Sequence, residues 1–420
     1  MPYVNPTPYA DALHQRLLGS GWLPATVDSL HRFIGQEIHH AKKEDLVYLP
    51  VIQEFKDLIE GDPNIYMNFI QMFKEVPQPA KVPDYETMLM LLNRAIRKVP
   101  TYNPTEEFSG LYIHAVLMAV IVTEHGYNAF INDKVNEQFR KILTVWRNFL
   151  MTPASADVLT TDEGGWLSPK VIKTFETYVG NFVEAFECDR DKPHFGFTSW
   201  DHFFTRTFRP HMRPVEAPDD SSVISSACES TVFRIAHDVK ETDDFWLKQQ
   251  NYSLKHMMDD DPLASRFGGG TVYQAFLSTT DYHRWHSPVS GRIIKARVVP
   301  GTYYALSPAL RDDHAILTAT QAYLSVVATR ALVFIESDNP DIGLMCFIAV
   351  GMIEVSSCEI TVQEGSYVKR GEQLGTFHYG GSTHCLIFRP ETKLEFKVDE
   401  QTGHVPLRSA IARALPSSND

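Results

Sequence analysis

The sequence predicts an α+β protein: a helical N-terminal domain followed by a β-rich catalytic domain. Three observations carry that expectation. Apolar residues recur at helical spacing through about the first 150 residues, as in Leu30, Ile34 and Ile38. From Ser222 onward the pattern changes to short β-branched and apolar runs bounded by turn residues. Between these regions, residues 152–165 are rich in Ser, Thr, Asp, Ala and Gly, the composition of a linker. The expected domains are therefore 1–160 and 161–420.

Within the first region, Val51, Ile52, Phe55, Leu58 and Ile59 form a stripe that Gly61 ends. Asp62-Pro63 reads as an N-cap followed by proline at N1, and Ile65, Phe69 and Phe73 continue on one face. Met88, Leu91, Leu92, Ala95 and Ile96 predict another helix. Residues 111–124 and 135–150 predict two more, the latter with Phe139, Leu143, Trp146 and Leu150 spaced for a core. A helical piece over 168–187 leads to Phe197-Thr198-Ser199-Trp200-Asp201-His202-Phe203-Phe204-Thr205-Arg206. There Thr198 or Ser199 can cap a short helix whose apolar face is Trp200, Phe203 and Phe204. Arg209-Pro210 and Arg213-Pro214 predict an extended exit. Strands are expected over 223–226, 231–235, 271–276, 291–299, 331–336, 344–350 and 359–362. Turns at 364–366 and 369–372 precede further strands at 386–389 and 394–398.

Composition narrows the function classes. The hydrophobic fraction of 44% and charged fraction of 22% are ordinary for a globular protein. A net charge of −13 gives no footprint for nucleic acid or for an anionic membrane. The five cysteines, Cys188, Cys228, Cys346, Cys358 and Cys385, are scattered and contain no C-x-x-C pair, which fits a reducing compartment. Met1-Pro2-Tyr3-Val4-Asn5-Pro6 has the character of neither a signal peptide nor a transit peptide. The apolar runs at 111–122 and 342–355 fall short of the roughly 18–20 residues that a membrane span needs. A soluble, cytoplasmic protein with no membrane anchor is expected.

The stretch Phe377-His378-Tyr379-Gly380-Gly381-Ser382-Thr383 carries the sharpest chemical signal. One reading is a tight turn or bulge, where glycine supplies φ > 0. The other is self-cleavage. Two glycines free the backbone, so the Ser382 hydroxyl can attack the Gly381 carbonyl in an N-to-O acyl shift. Loss of the ester by β-elimination would then convert Ser382 to a pyruvoyl group. Such a carbonyl condenses with an amine and draws off electrons, as bound cofactors do elsewhere.

Two further clusters bear on chemistry. Asp281-Tyr282-His283-Arg284-Trp285-His286-Ser287-Pro288 holds two histidines three residues apart. They read as a metal pair, as a structural hydrogen-bonded pair, or as general acid–base groups. No third ligand with suitable spacing is apparent, so no metal is expected. Ser225-Ser226-Ala227-Cys228-Glu229-Ser230 places a carboxylate between two strand-like runs. Glu229 reads either as a solvated strand-end residue or as the group that orients a histidine.

Taken in order, residues 197–206 with Arg213-Pro214, then Asp281-Tyr282-His283-Arg284 with His286 and Pro288, then residues 368–383 resemble the signatures of the phosphatidylserine decarboxylase family. Within it, Gln53-Glu54-Phe55-Lys56, Ala227-Cys228-Glu229-Ser230, Tyr282-His283-Arg284-Trp285-His286 and Gly380-Gly381-Ser382 are similar to the fungal branch that decarboxylates L-tryptophan in the psilocybin pathway. The resemblance implies cleavage between Gly381 and Ser382, with a large chain 1–381 and a small chain that stay associated. It implies that Ser382 is the nucleophile and pyruvoyl precursor, that His286 activates it, and that His283 assists decarboxylation. Phospholipid-type members have Asp-Gly where this chain has Glu229-Ser230. The orienting carboxylate is therefore one methylene longer here, or another group does the orienting. No pyridoxal phosphate is needed.

Three functions follow as alternatives. The first is a pyruvoyl-dependent decarboxylase of a soluble aromatic amino acid, L-tryptophan giving tryptamine and CO2. The second is a phosphatidylserine decarboxylase making phosphatidylethanolamine. The third is an uncleaved protein that binds a ligand without catalysis. Trp285, Phe203 and Phe204 are either lining for a substrate side chain or plain core.

Overall fold

The computed structural model describes residues 27–44, 47–76, 82–102, 111–243, 252–278, 280–306, 320–354, 357–379 and 381–416. The class is α+β, with helices first and antiparallel sheet after. The N-terminal sequence and Gly380 lie outside the described residues.

The chain divides into two compact units, but not by a single cut near residue 160. One unit comprises Met1–Thr174, Cys188–Phe203 and Thr302–Thr320; the other comprises Phe175–Glu187, Phe204–Gly301 and Gln321–Asp420. The expected linker is packed structure. Pro153–Val158 forms a 3-10 helix, and the buried Ser155 hydroxyl donates to the Leu150 and Thr152 carbonyls while accepting from Trp200 N at 2.8 Å. Polar residues that saturate one another's backbone groups look like a linker in composition alone.

The first unit is built from amphipathic helices, including Val27–Lys43, Pro50–Gly61, Pro63–Lys74, Tyr85–Ala95 and Asp133–Leu150. Asp62 caps Pro63–Lys74 by accepting from Asn64 N and Ile65 N, with Pro63 at the first helical position. Phe55 and Phe139 meet at 5.2 Å, Phe55 and Phe69 at 5.6 Å, and Phe139 and Tyr304 at 5.1 Å. This cluster is the convergence that the apolar stripes foretell. The helix expected over 111–124 is shorter, Tyr112–Leu117, and a separate helix Glu124–Phe130 follows. The Thr123 side chain accepts from Gly126 N and so starts a new helix there.

The second unit holds fourteen strands among the described residues. They are β1 (Val223–Ser225), β2 (Ser230–Val239), β3 (Gly270–Leu277), β4 (Arg284–His286), β5 (Gly291–Val299), β6 (Arg330–Ser337) and β7 (Leu344–Met352). Then follow β8 (Cys358–Ile360), β9 (Tyr367–Val368), β10 (Gln373–Phe377), β11 (Gly381–Phe388), β12 (Leu394–Phe396), β13 (His404–Val405) and β14 (Ala410–Ala414). An eight-stranded antiparallel sheet has the order β13-β2-β3-β11-β7-β6-β5-β9. Two three-stranded sheets, β1-β14-β12 and β4-β10-β8, complete it. The continuous apolar run of β7 matches a central strand covered on both faces. The expected helix over 168–187 breaks at Gly180, whose φ is +75°, into Pro169–Val179 and Phe182–Ala185. The exit after Phe204 is not extended throughout: residues 210–213 form turns, and Arg213 has φ +53°. Among the described residues, no helix is long and apolar enough to cross a membrane.

Candidate active site

Ser382 lies in a strand and not in a turn. It pairs with Leu277 of β3 and Gly351 of β7, near the start of β11 in the middle of the large sheet. Alternation along the strand puts Ser382 on the face shared by His384, Leu386 and Phe388. Ser382 is fully buried, and its hydroxyl has no hydrogen-bond partner among the described residues. The next residue is held firmly. Thr383 Oγ1 donates to the Ala275 carbonyl at 2.9 Å and accepts from Gln274 Nε2 at 3.2 Å. Tyr252 in turn donates to Gln274 Oε1 at 2.7 Å. A buried network with its polar groups paired rigidifies what it holds.

The two histidines flank an aromatic anchor. Trp285 is fully buried on β4, stacks on Phe347 at 5.4 Å, and pairs in register with Gly375 of β10. A Cβ at Gly375 would lie 2.6 Å from the indole and 2.3 Å from the Glu359 carbonyl, so only glycine admits this approach. Trp285 is thus core, and its seat places His283 and His286 at opposite ends of the β4 segment.

His283 stands beside the residues that lead to Ser382. Its carbonyl accepts from Phe377 N at 2.9 Å, and its ring stacks on Phe204 at 4.2 Å. Phe204 in turn meets Tyr379 edge-on at 5.5 Å. His283 Nδ1 faces the Asp281 carbonyl at 2.9 Å; a carbonyl only accepts, so Nδ1 carries the proton. The loop is propped by buried Arg206, which donates to the Thr280 and Asp281 carbonyls at 2.7 and 3.1 Å. Its guanidinium lies over Phe175 and Phe186.

His286 is directed elsewhere. Its Nδ1 donates to the Gly371 carbonyl at 2.9 Å, and the Tyr282 hydroxyl lies 3.2 Å from Nε2. Arg408 Nη2 approaches Nδ1 to 3.3 Å. Burial, and then the Arg408 charge, push His286 down to about 3.

Glu229 is buried and not a solvated strand end. It forms an ion pair with Arg213 Nε and accepts from Arg213 Nη2 at 3.1 Å, His404 Nε2 at 2.7 Å and Leu407 N at 2.8 Å. The His404 ring stacks on Tyr178 at 4.1 Å. Among the described residues no hydrogen bond joins Glu229 to His286, nor Ser382 to either histidine. Tyr282, Gly371, His404 and Arg408 were not singled out from sequence as site residues. Tyr282 and Gly371 sit inside stretches that were, whereas His404 and Arg408 carry no local signal.

A family model described as phosphatidylserine decarboxylase matches residues 200–412, and a second of the same description matches residues 49–175. The decarboxylase iboD of Amanita muscaria is 48% identical over 319 residues, which cover 72% of this chain and 91% of that protein. The L-tryptophan decarboxylase of Psilocybe cubensis is 35% identical over 399 residues, 89% of each chain. That of Psilocybe cyanescens is 37% identical over 396 residues, again 89% of each chain.

Proposed function

We propose, from the premise that this chain belongs to the phosphatidylserine decarboxylase family and is a carboxy-lyase, that it is a self-processing, cytoplasmic decarboxylase of aromatic L-amino acids, with L-tryptophan the preferred substrate. Ser382 is the residue that cuts and is converted. The observation that carries this reading is the Ser382 hydroxyl: fully buried, without a hydrogen-bond partner among the described residues, and directly after Gly381. A buried hydroxyl with no partner is costly, and such groups are kept where chemistry uses them.

In the proposed cleavage, Ser382 Oγ attacks the Gly381 carbonyl carbon and the Gly381–Ser382 C–N bond breaks. An ester and a free amine at position 382 result. The Ser382 Cα proton then leaves, and the Gly381 carboxylate departs with Oγ. Tautomerisation and hydrolysis with loss of ammonia leave a pyruvoyl group. That group would supply a carbonyl able to condense with the substrate amine and take up the electrons left by CO2. The residues around position 382 suit such an end group: the ladders to β3 and β7 and the Thr383–Gln274 bond keep β11 in register after a cut. His286 is assigned to accept the Ser382 proton, and it is neutral near pH 7, as a base must be. His283, beside Phe377 and stacked on Phe204, is assigned to position the substrate or reprotonate the product. Glu229 contributes by ordering the segment after β13 and not by contact with His286.

The choice of an aromatic amino acid rests on relatives named L-tryptophan decarboxylase that align over 89% of both chains. Phosphatidylserine is the second reading, favoured by the name of the matching family model. Incubation with tryptophan, phenylalanine, tyrosine and phosphatidylserine, with amine products read by mass, separates the two. Tryptamine is expected; turnover of the lipid alone would overturn the first reading.

A further inference from the structure

We propose that Arg408 is a positioning residue for His286: its charge keeps the imidazole neutral, while the Gly371 carbonyl fixes the tautomer, with Nε2 turned to Tyr282. The functional meaning of this rests on the reading above, in which His286 is the base for Ser382.

The geometry centres on one oxygen. The Gly371 carbonyl accepts from His286 Nδ1 at 2.9 Å and from Arg408 Nε at 2.9 Å. Nδ1 thus lies between an acceptor at 2.9 Å and Arg408 Nη2, which can only donate, at 3.3 Å; the shorter contact decides, so Nδ1 carries the proton and Nε2 keeps its lone pair. The Tyr282 hydroxyl, 3.2 Å away, then donates to Nε2. Arg408 Nη2, only 3.3 Å from Nδ1, sets a fixed cation where protonation would create a second one.

Arg408 is built into place. It adopts φ +66°, a left-handed conformation that a non-glycine residue keeps only when its surroundings impose it. Its N–H donates to the Ser226 carbonyl at 3.0 Å, and its carbonyl accepts from Glu216 N at 3.2 Å. Its Nη1 reaches the Arg213 carbonyl at 3.3 Å. Glu229 accepts from the preceding Leu407 N at 2.8 Å. Gly371 complements it: φ there is +85°, and a Cβ would lie 2.6 Å from Val215 and 3.2 Å from Arg408 Nε.

The charged and titratable groups around His286 come from several segments. Tyr282 and Arg284 lie on its own segment, and Arg408 follows β13. Glu229 lies two residues after Ala227, whose carbonyl accepts from His286 N, and its carboxylate is met by Arg213 and His404. Arg206 acts on Tyr282. The carboxylate of this neighbourhood thus orders the arginine's segment, and the arginine faces the histidine.

The test uses the full chain carrying S382A, with histidine labelled by 15N, whose ring shifts report tautomer and protonation. His286 is assigned by difference from S382A/H286Q. The expected ring is Nδ1–H and stays unprotonated down to about pH 5. Adding R408M or R408Q is expected to raise the protonation midpoint by about one pH unit or more, whereas R408K keeps it low. R408Q retains a donor for the Gly371 carbonyl, so it separates charge from hydrogen bonding. An unchanged midpoint in folded R408Q or R408M would overturn the proposal. So would an Nε2–H ring in the S382A chain alone, a result that needs no Arg408 variant to fold. Failure of the parent reading looks different: H286Q with Ser382 intact would then cleave at the wild-type rate, whatever the titration shows.

Discussion

Glu229 Oε2 accepts a hydrogen bond from His404 Nε2 at 2.7 Å, joining residues that lie on opposite sides of Ser382 in the chain. The same carboxylate pairs with Arg213 and Leu407 N. After a cut before Ser382, this buried cluster would tie the two fragments together, alongside the β11 ladders and the β1–β14 pairing.

Removing that carboxylate is expected to destabilise the protein. E229A leaves Arg213 without its counter-charge, and breaking a buried pair costs about 3–5 kcal/mol. Thermal unfolding of E229A beside wild type reads the loss; an unchanged midpoint would mean that the cluster is not structural. A pH window follows. Burial opposes the charge on Glu229, but His404 and Arg213 outweigh it and hold the carboxyl below 4.5. A depressed carboxyl contributes stability above its unfolded value, and that contribution is lost as pH falls through its folded value. Wild type should therefore weaken on acidification below 4.5 more steeply than E229Q does.

S382A is expected to remain a single species of 47.7 kDa and to release no amine. Intact mass spectrometry and the amine assay decide this. Amine release at the wild-type rate by the uncut chain would remove Ser382 from the chemistry.

The two histidines should separate by step. H286Q is expected to slow cleavage by about 10²-fold or more, the scale of general base catalysis. H283Q is expected to cut normally yet form amine about 10²-fold more slowly. Cleavage time courses and single-turnover amine formation distinguish them, and an exchange of the two phenotypes would reverse the assignment.

G371A is expected to lose about 1–3 kcal/mol from backbone strain, since φ is +85° and the new Cβ would press on Val215 and Arg408. It should also cleave more slowly, because the carbonyl that accepts from His286 and Arg408 moves. Loss of stability with an unaltered cleavage rate would show that this carbonyl plays no part in positioning His286.

Much of the architecture is legible in local spacing. Asp62-Pro63 announces its helix start, Ser199, one of the two expected caps of Trp200–Phe204, accepts from His202 N at 3.0 Å, and β5 runs over the expected residues 291–299. Each is set by side chains within a few positions of one another. The segment 152–165 misleads because composition records polarity and not whether those polar groups find partners; Ser155 does, at Leu150, Thr152 and Trp200. The strand through Ser382 is likewise hidden by the glycine that begins it, and its regularity comes from pairing with β3 and β7.

Periodicity and motif order were enough to tell that helices precede strands and to which family the chain belongs. Which groups the candidate site residues meet depended on the closed chain. Glu229 finds Leu407 across 178 positions, and His286 finds Gly371 across 85. Such encounters depend on where sheets bring distant backbone together, and spacing along the chain carries that information only through the fold.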